Sequence, residues 1–169
     1  MVKLITPRIF RDNRGYFFES FRKNELPDFV QDNVSFSRKN VVRALHFQRS
    51  PGQAKLVHCL SGKIWDVVVD IRTDSETFGQ WQAFELDGIL HQQLFIPIGF
   101  AHGFCVLSDE AIVQYKVSAF YDPAEERSIR WNDPDLGIPW PVQEPVLSER
   151  DQQSPWFKEV FHAVMDSRK

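Results

Sequence analysis

The sequence is poor in cysteine and lacks a large excess of charge of either sign. Its two cysteines, Cys59 and Cys105, each lie in an apolar stretch, and neither belongs to a CxxC pair. A zinc knuckle or a dithiol redox site is therefore disfavoured, and we expect both thiols to be buried. The formal net charge is −3 and no stretch is dominated by Lys or Arg. A strongly basic, nucleic-acid-binding protein is not indicated.

Long apolar runs are also missing. No segment approaches the roughly 20 apolar residues that a membrane span needs. The first residues meet Pro7, Arg8 and Arg11 before any apolar run long enough for a secretion signal. The sequence therefore predicts a cytoplasmic protein without membrane contact. Its 169 residues suit a single domain spanning 1–169 with a substantial core.

Aromatic residues and short strand-like segments are abundant. The 15 Phe, 5 Trp and 3 Tyr suit a tightly filled barrel or a stacking site. Turn dipeptides such as Pro51-Gly52 and Asp87-Gly88 separate seven runs that are typical of β-strands. These runs are 41–48, 54–60, 64–72, 80–86, 92–97, 103–107 and 111–117. Because no helices are interleaved, we predict an all-β, jelly-roll (cupin-like) antiparallel barrel.

The regions outside these strands predict a covering loop and a few short helices. Residues 129–145 are rich in Trp and Pro and too apolar for a linker, so we expect them to wrap over the barrel. The last 15 residues predict a C-terminal amphipathic helix, with Ser154 as its cap and Pro155 at its first position. A short peripheral helix is also predicted near 23–30, despite an internal proline.

His46 lies in a strand-like run and is the first candidate for chemistry. A histidine that faces a barrel interior is either a hydrogen-bonded core residue or a functional group. Arg43 and Lys55 belong to the same predicted hairpin, and two cations are costly to bury without an anionic partner or ligand. Strict alternation places Arg43 and His46 on opposite faces. A bulge or a strand end must intervene if both contact one ligand.

Three further residues have either a structural or a functional interpretation. Tyr115 shares a face with apolar neighbours, so it is either a core phenol or a proton donor. His102 lies between glycines in GFAHGFCV, where it either supports the structure or contacts a ligand. Arg14 precedes Gly15 in RDNRGYFFESF and is of a type that binds phosphate, although exposed arginines are common.

A metal site is disfavoured by the residues that follow His46. Small β-barrels often hold a metal through a His-x-His pair, because alternate residues of a strand share a face. Here His46 is followed by Phe47 and Gln48. A metal-dependent oxygenase is therefore not indicated.

Seven segments, taken in order, resemble the dTDP-4-dehydrorhamnose 3,5-epimerase family. They are RGYFFESF (14–21), QDNVSFSRKNVVRALHFQ (31–48), AKLVHCLSGKIWDVVVDIR (54–72), TFGQWQAFEL (77–86), IPIGFAHGFCVLSDEA (96–111), YKVSAFYDPAEERSIRWNDPDLGIPW (115–140) and LSERDQ (147–152). The resemblance covers residues 1 to about 153. It implies a cupin-type jelly roll that works as a homodimer, without a metal or any other cofactor.

The resemblance also implies roles for individual residues. His46 matches the catalytic base, and Asp151 matches the carboxylate that orients it. Tyr115 matches the proton donor on the opposite face of the sugar, and Lys55 matches the cation beside the C4 ketone oxygen. The implied substrate-binding residues are Arg14 and Arg43 at the pyrophosphate, Glu19, Gln31 and Asn33 at the nucleotide, and His102, Glu126 and Arg150 elsewhere around the substrate.

The implied reaction is epimerisation at C3 and C5 of dTDP-4-dehydro-6-deoxy-D-glucose, a dTDP-4-keto-6-deoxyhexose, to dTDP-4-dehydro-L-rhamnose. A C–H next to a ketone becomes acidic only when the enolate is stabilised, so the base and the cation must act together. Two alternatives stay open. One is a mono-epimerase acting at C3 or C5 only, and the other is a non-catalytic cupin that binds sugar nucleotides.

The chain departs from the family pattern at two of these positions. The usual RGLHFQ reads RALHFQ, so Ala44 adds a methyl where the backbone is expected to pass close to the substrate. In LSERDQ, Arg150 stands where relatives often have Lys, which keeps the charge but changes its shape.

Overall fold

The computed structural model describes residues 1–23 and 26–167, and for 163–167 it describes only the backbone. In this part of the chain twelve strands and two helices follow one another. They are β1 (Lys3–Ile5), β2 (Phe10–Asp12), β3 (Gly15–Phe17), β4 (Gln31–Arg38), β5 (Val42–Gln48), β6 (Lys55–Ser61), β7 (Lys63–Asp70), β8 (Trp81–Asp87), β9 (Gln93–Ile96), β10 (Phe100–Val106), β11 (Glu110–Val117), β12 (Glu126–Ser128), α1 (Glu149–Gln152) and α2 (Phe157–Ser167).

The strands form two five-stranded sheets and one separate hairpin. Sheet I has the order β1-β9-β6-β11-β4, sheet II has the order β12-β5-β10-β7-β8, and β2 pairs with β3. The neighbouring strands of both sheets pair antiparallel. The predicted antiparallel jelly roll with few helices is therefore confirmed. Within the described residues, neither helix is long and apolar enough to cross a membrane.

Two apolar cores lie on the two faces of sheet II. One fills the space between the sheets, where Val57 and Val113 of sheet I meet Ile64 and Phe104 of sheet II. The other lies on the far side of sheet II, and its buried residues include Val67, Val69, Ile129, Leu136, Ile138 and Trp140. The 129–145 region therefore covers the barrel, as predicted. Because sheet II is buried on both faces, β7 reads as a nearly continuous apolar run.

The helices differ from their predictions at two places. Helix α2 begins at Phe157, and the Ser154 hydroxyl bonds Ser128 Oγ and the Arg150 carbonyl instead of capping it. No helix forms in 26–30, the longest described part of the segment predicted near 23–30, while residues 24 and 25 lie outside the described residues. The proline in this segment removes a backbone donor that a helix would use.

A bulge between β5 and β10 brings Arg43 and His46 to the same side of sheet II. His102 pairs with His46 and Phe104 pairs with Arg43, so three residue steps on β5 match two on β10. The extra residue reverses the alternation, as the sequence analysis required. A Cβ at Gly103 would lie 2.4 Å from Ala44 Cβ and 2.8 Å from the Arg43 carbonyl oxygen. Only glycine fits at this crossing.

The Ala44 methyl does not lie where the sequence analysis expected it. Ala44 is fully buried and belongs to the core on the far side of sheet II. Its methyl faces Gly103, as the close approach at that glycine shows. The methyl therefore affects the packing of the bulge rather than the cavity between the sheets.

Candidate active site

A cluster of polar residues lies at one end of the space between the two sheets. Sheet II contributes His46 and His102, and sheet I contributes Lys55 and Tyr115. Strand β12 and helix α1 close the same end with Glu126, Arg150 and Asp151. Eight of the predicted residues belong to this cluster: His46, Asp151, Lys55, Tyr115, His102, Glu126, Arg150 and Arg43.

His46 is paired with the buried carboxylate of Asp151. Its Nε2 lies 2.7 Å from Asp151 Oδ1, and the Asp151 side chain is 4% exposed. Ser148 caps the short helix α1 and accepts a hydrogen bond from the Asp151 backbone N–H, which fixes the position of the carboxylate. A carboxylate that accepts from one ring nitrogen fixes the tautomer and leaves a lone pair on the other nitrogen. The pair can therefore work as a general base.

Lys55 is a buried cation beside this base. Its Nζ donates to the His46 carbonyl oxygen at 3.4 Å, and no carboxylate of the described residues forms an ion pair with it. Burial lowers the pKa of Lys55 to about 8, although the charges of Glu126 and Asp66 act in the opposite direction. An ammonium that is buried without a direct counter-ion is well placed to bind an oxygen that gains negative charge.

Tyr115 faces the cavity from the opposite sheet. Burial raises the pKa of its phenol, and the charge of Glu126 raises it further, while Arg43 and Arg150 act in the opposite direction. The hydroxyl therefore keeps its proton at neutral pH. Since His46 lies on sheet II and Tyr115 on sheet I, a ring held between the sheets would have the base and the proton donor on opposite faces.

His102 forms a second histidine–carboxylate pair with Asp66, a residue that the sequence analysis did not select. His102 Nε2 lies 3.0 and 2.9 Å from the two carboxylate oxygens, and the side chains are 8% and 0% exposed. Burial lowers the pKa of His102, while Asp66 opposes the shift. The sequence did offer a signal for Asp66, because this charged residue interrupts the apolar run IWDVVVD on the side of the strand that faces the barrel interior. A buried carboxylate in a core strand requires a partner.

Glu126 links two residues at the rim of the cavity. Its Oε2 accepts hydrogen bonds from Arg150 Nη1 at 2.6 Å and from the Tyr121 hydroxyl at 2.9 Å. Partial burial raises the pKa of Glu126, but these two hydrogen bonds outweigh it and hold the pKa below its usual value. Tyr121 was also missed from sequence, because it lies in an irregular loop with no periodic pattern.

Two more predicted substrate-binding residues, Gln31 and Asn33, adjoin this rim, as does Arg43 of the cluster. Gln31 Nε2 donates to Asn33 Oδ1 at 2.9 Å, and Gln31 Oε1 accepts from the Tyr121 backbone N–H at 3.0 Å. Arg43 Nε donates to Ser37 Oγ at 3.0 Å. All three are on strands whose inner faces border the cavity.

Arg14 and Glu19 lie elsewhere in the chain. Arg14 pairs with Asp12 and its side chain is 86% exposed. Glu19 pairs with Arg22 and lines a groove of about 600 Å³ together with Leu56 and other residues. Leu56 points away from Lys55, its neighbour on β6, so this groove is on the outer face of sheet I. Within a single chain, Arg14 and Glu19 therefore lie away from the polar cluster between the sheets.

Comparison with known proteins gives a consistent result. The model of the dTDP-4-dehydrorhamnose 3,5-epimerase family matches residues 1–159. A dTDP-4-dehydrorhamnose 3,5-epimerase from Shigella flexneri is 49% identical over 158 residues, which cover 89% of this chain and 87% of the relative.

Two solved structures are also similar. A dTDP-6-deoxy-D-glucose-3,5-epimerase from Legionella pneumophila, in complex with dTDP-4-keto-L-rhamnose, has a TM-score of 0.92 and 44% identity, covering 96% of this chain and 91% of that one. A 3'-monoepimerase from Streptomyces bikiniensis, in complex with dTDP-quinovose, has a TM-score of 0.88 and 34% identity, covering 99% and 92%. From the family match and these identities, the chain belongs to the dTDP-4-dehydrorhamnose 3,5-epimerase family.

Proposed function

We propose that the protein converts dTDP-4-dehydro-6-deoxy-D-glucose to dTDP-4-dehydro-L-rhamnose by inverting C3 and C5. The observation that carries this proposal is the arrangement across the cavity. The His46–Asp151 pair lies on one side, and the buried Lys55 and the protonated Tyr115 lie on the facing sheet. Inversion next to a ketone requires a base, an oxyanion partner and a proton donor on the opposite face.

The reaction at each carbon follows from this geometry. The free ring nitrogen of His46 takes the proton from carbon, and the C–H electron pair moves to form the enolate of the C4 ketone. Lys55 donates a hydrogen bond to the enolate oxygen. Tyr115 then gives its proton to the opposite face of the carbon, and the imidazolium and the phenolate return to their starting states by proton exchange with solvent. Each positioned acid or base contributes about 10²–10⁴-fold.

Both C3 and C5 adjoin C4, so the same groups can serve both carbons after the ring shifts in the cavity. Relatives named as 3,5-epimerases are 41–49% identical to this chain over the aligned residues, whereas the 3'-monoepimerase is 34% identical. This difference favours double epimerisation. Inversion at one carbon is the second candidate, because the monoepimerase has the same fold with a TM-score of 0.88.

Incubation with dTDP-4-keto-6-deoxyglucose in D₂O, followed by proton NMR, tests the proposal. We expect deuterium at C3 and C5 and the appearance of dTDP-4-keto-rhamnose, with both lost in His46→Ala. Deuterium at one carbon only would establish the mono-epimerase. If the native protein binds the sugar nucleotide tightly but exchanges no deuterium, the proposed enzymatic function is contradicted and the non-catalytic cupin is supported.

We also propose that the protein is a homodimer in which Arg14 and Glu19 of one copy bind the nucleotide in the other. Three observations support this. Glu19 lines the groove on the outer face of sheet I, Arg14 is 86% exposed, and the outward side chains of Val34 and Phe36 are 64% and 53% exposed. Large apolar side chains on an open sheet face are typical of an interface.

A complementation experiment tests this arrangement. Arg14→Ala and His46→Ala homodimers should each lose most of their activity. A mixed dimer should regain the activity of about one native site, half that of a native dimer, because one of its two cavities then has both an intact base and an intact arginine. A monomer in light scattering, or no recovery in the mixture, would contradict the proposal.

Two further proposals concern the domain organisation and the location of the protein. We propose that residues 1–169 work as one domain, since the family model matches 1–159 without a break. We propose a cytoplasmic location, because Cys59 and Cys105 are free buried thiols and such thiols suit a reducing compartment. Cell fractionation with an antibody to the protein tests the location.

A further inference from the structure

The loop after β11 is held by glutamine side chains from three different parts of the chain. Gln31 Oε1 on β4 accepts from the Tyr121 N–H at 3.0 Å. Gln53 Nε2 donates to the Ala119 carbonyl at 2.9 Å. Gln48 Nε2 donates to the Phe120 carbonyl at 3.2 Å, and Gln48 Oε1 accepts from the Asp122 N–H at 3.1 Å. Residues 119–122, here called the tyrosine loop, are thus bonded on both sides of Tyr121.

Gln48 makes the most complete of these attachments. Its side chain is buried, with 8% of the residue exposed. One end of the carboxamide bonds a carbonyl and the other end bonds an N–H, so its orientation is defined by both partners. Gln48 also lies two residues after His46 on β5. The strand that carries the candidate base therefore also anchors the tyrosine loop.

The tyrosine loop connects the candidate proton donor Tyr115 with Tyr121 at the rim of the cavity. Tyr115 lies on β11, six residues before Tyr121, and the loop continues from the end of that strand. The Tyr121 hydroxyl reaches back to Glu126 Oε2 at 2.9 Å, and the same oxygen accepts from Arg150. The placement of Tyr121 thus determines the environment of the carboxylate whose charge acts on both Lys55 and Tyr115.

We infer that Gln48 is a positioning residue for the reaction, acting through Tyr121: it holds the tyrosine loop so that the Tyr121 hydroxyl bonds Glu126 at the rim of the cavity. The inference rests on the proposed function, which it extends by a residue that does not touch the substrate. Gln48→Met removes both hydrogen bonds while keeping a side chain of similar length. The loop is exposed at Phe120 and Tyr121, so water can bond the freed backbone groups and the barrel should still fold.

Tyrosine NMR tests the positioning without any substrate. The chain has three tyrosines, so ¹³Cζ-tyrosine labelling gives three resonances, which Tyr→Phe variants assign. The hydrogen bond to Glu126 raises the pKa of Tyr121 in the native protein. In Gln48→Met it should fall toward the ordinary value of about 10, with the Tyr16 resonance as an internal reference. Gln114→Met, the matched control on the outer face of β11, should leave the Tyr121 titration unchanged. An unchanged titration in Gln48→Met overturns the inference.

Kinetics test whether the positioning matters for the reaction. Displacing a group by about 1 Å can slow a reaction by about 10²-fold, so we expect Gln48→Met to lower kcat by roughly 10–100-fold with KM changed much less. Because Gln48 acts through Tyr121, the double variant Gln48→Met/Tyr121→Phe should be no slower than Tyr121→Phe alone. The inference would be overturned if the effects of the two substitutions on kcat multiplied in the double variant, or if Gln48→Met alone had a normal kcat.

A second variant and a separate readout cover the cases in which the first variant does not fold or the proposed function fails. If Gln48→Met does not fold, Gln48→Glu keeps the shape and the acceptor for Asp122 but loses the donor to Phe120, and it should shift the Tyr121 titration in the same direction. If the native protein exchanges no deuterium with the keto-sugar, the proposed function fails. The NMR arm then still decides whether Gln48 positions Tyr121.

Discussion

The crossing of Ala44 and Gly103 allows a steric prediction to be worked out from distances. In Gly103→Ala the new Cβ would lie 2.4 Å from Ala44 Cβ, 2.8 Å from Ala44 Cα and 2.8 Å from the Arg43 carbonyl oxygen. Carbon atoms pack best at about 3.5–4.0 Å. Two of the three neighbours are backbone atoms, which cannot rotate away. We therefore expect a loss of about 3 kcal/mol in the free energy of unfolding, at the upper end for overpacking.

The reverse change at the partner position should be milder and should relieve part of the clash. Ala44→Gly removes one buried methyl, worth about 0.8 kcal/mol, and adds a glycine to a strand, which costs about 0.5–1 kcal/mol. In the double variant the shortest contact, between the two methyls, is gone, but the 2.8 Å contacts with backbone atoms remain. We expect the loss of unfolding free energy in the double variant to be at least about 1 kcal/mol smaller than the sum of the two single losses.

Urea unfolding followed by tryptophan fluorescence measures these energies. The control cycle pairs Gly103→Ala with Ala111→Gly, which removes another buried methyl on the other sheet and should be additive. The steric argument is refuted if Gly103→Ala costs less than about 0.5 kcal/mol, a typical surface effect, or if it is additive with Ala44→Gly. Folded Gly103→Ala protein should also exchange substrate deuterium more slowly, because His46 lies beside the same bulge.

Three further predictions concern the cavity and the outer face of sheet I. Asp151→Asn should slow deuterium exchange by about 10²–10⁴-fold, because His46 loses its orienting charge; near-native exchange would exclude that role. The native kcat/KM should fall as pH rises through about 8, because Lys55 with its pKa of about 8 then loses the proton that stabilises the enolate; a profile that is flat to pH 9.5 would contradict this. Burial lowers the pKa of His58 to about 4, against about 6.5 in the unfolded chain. The unfolded state therefore binds more protons between these values, and stability should fall as pH decreases from 7 to 5, by up to about 2 kcal/mol. Urea midpoints at the two pH values measure the loss, and an equal loss in His58→Gln would assign it to other groups.

Seven of the twelve strands in the described residues, β5 to β11, could be predicted from sequence. The short strands β1, β2, β3 and β12 and the long strand β4 could not. All seven predicted runs overlap an observed strand. In β4 the inward side chains include Ser35 and Ser37, while Val34 and Phe36 point outward and are exposed. This alternation is the reverse of what burial in a single chain would select. The strand is therefore recognisable only once the register with β11 is known.

The candidate site was only partly predictable from the sequence, because its residues meet through contacts between distant parts of the chain. His46 and Asp151 are 105 residues apart, and no spacing rule joins them; only the resemblance paired them. Tyr121 was missed because nothing local marks it, and the apolar run around Asp66 marks a buried carboxylate without indicating its partner. Asp66 meets His102 through the register of β7 with β10, and Tyr121 reaches Glu126 from an irregular loop. Such contacts depend on strand order, which a single sequence does not reveal.

The position of Asp151 after the last strand has a consequence for biosynthesis. Chains emerge from the ribosome N-terminal end first, so every strand of both sheets has been synthesised before α1 appears. The tail then docks beside β5, where the Val42 N–H bonds the Val146 carbonyl. A nascent chain can therefore complete its barrel while the base is still unoriented. On the proposed mechanism, catalytic competence therefore follows the completion of both sheets, and a chain terminated just after Ser148 would be inert.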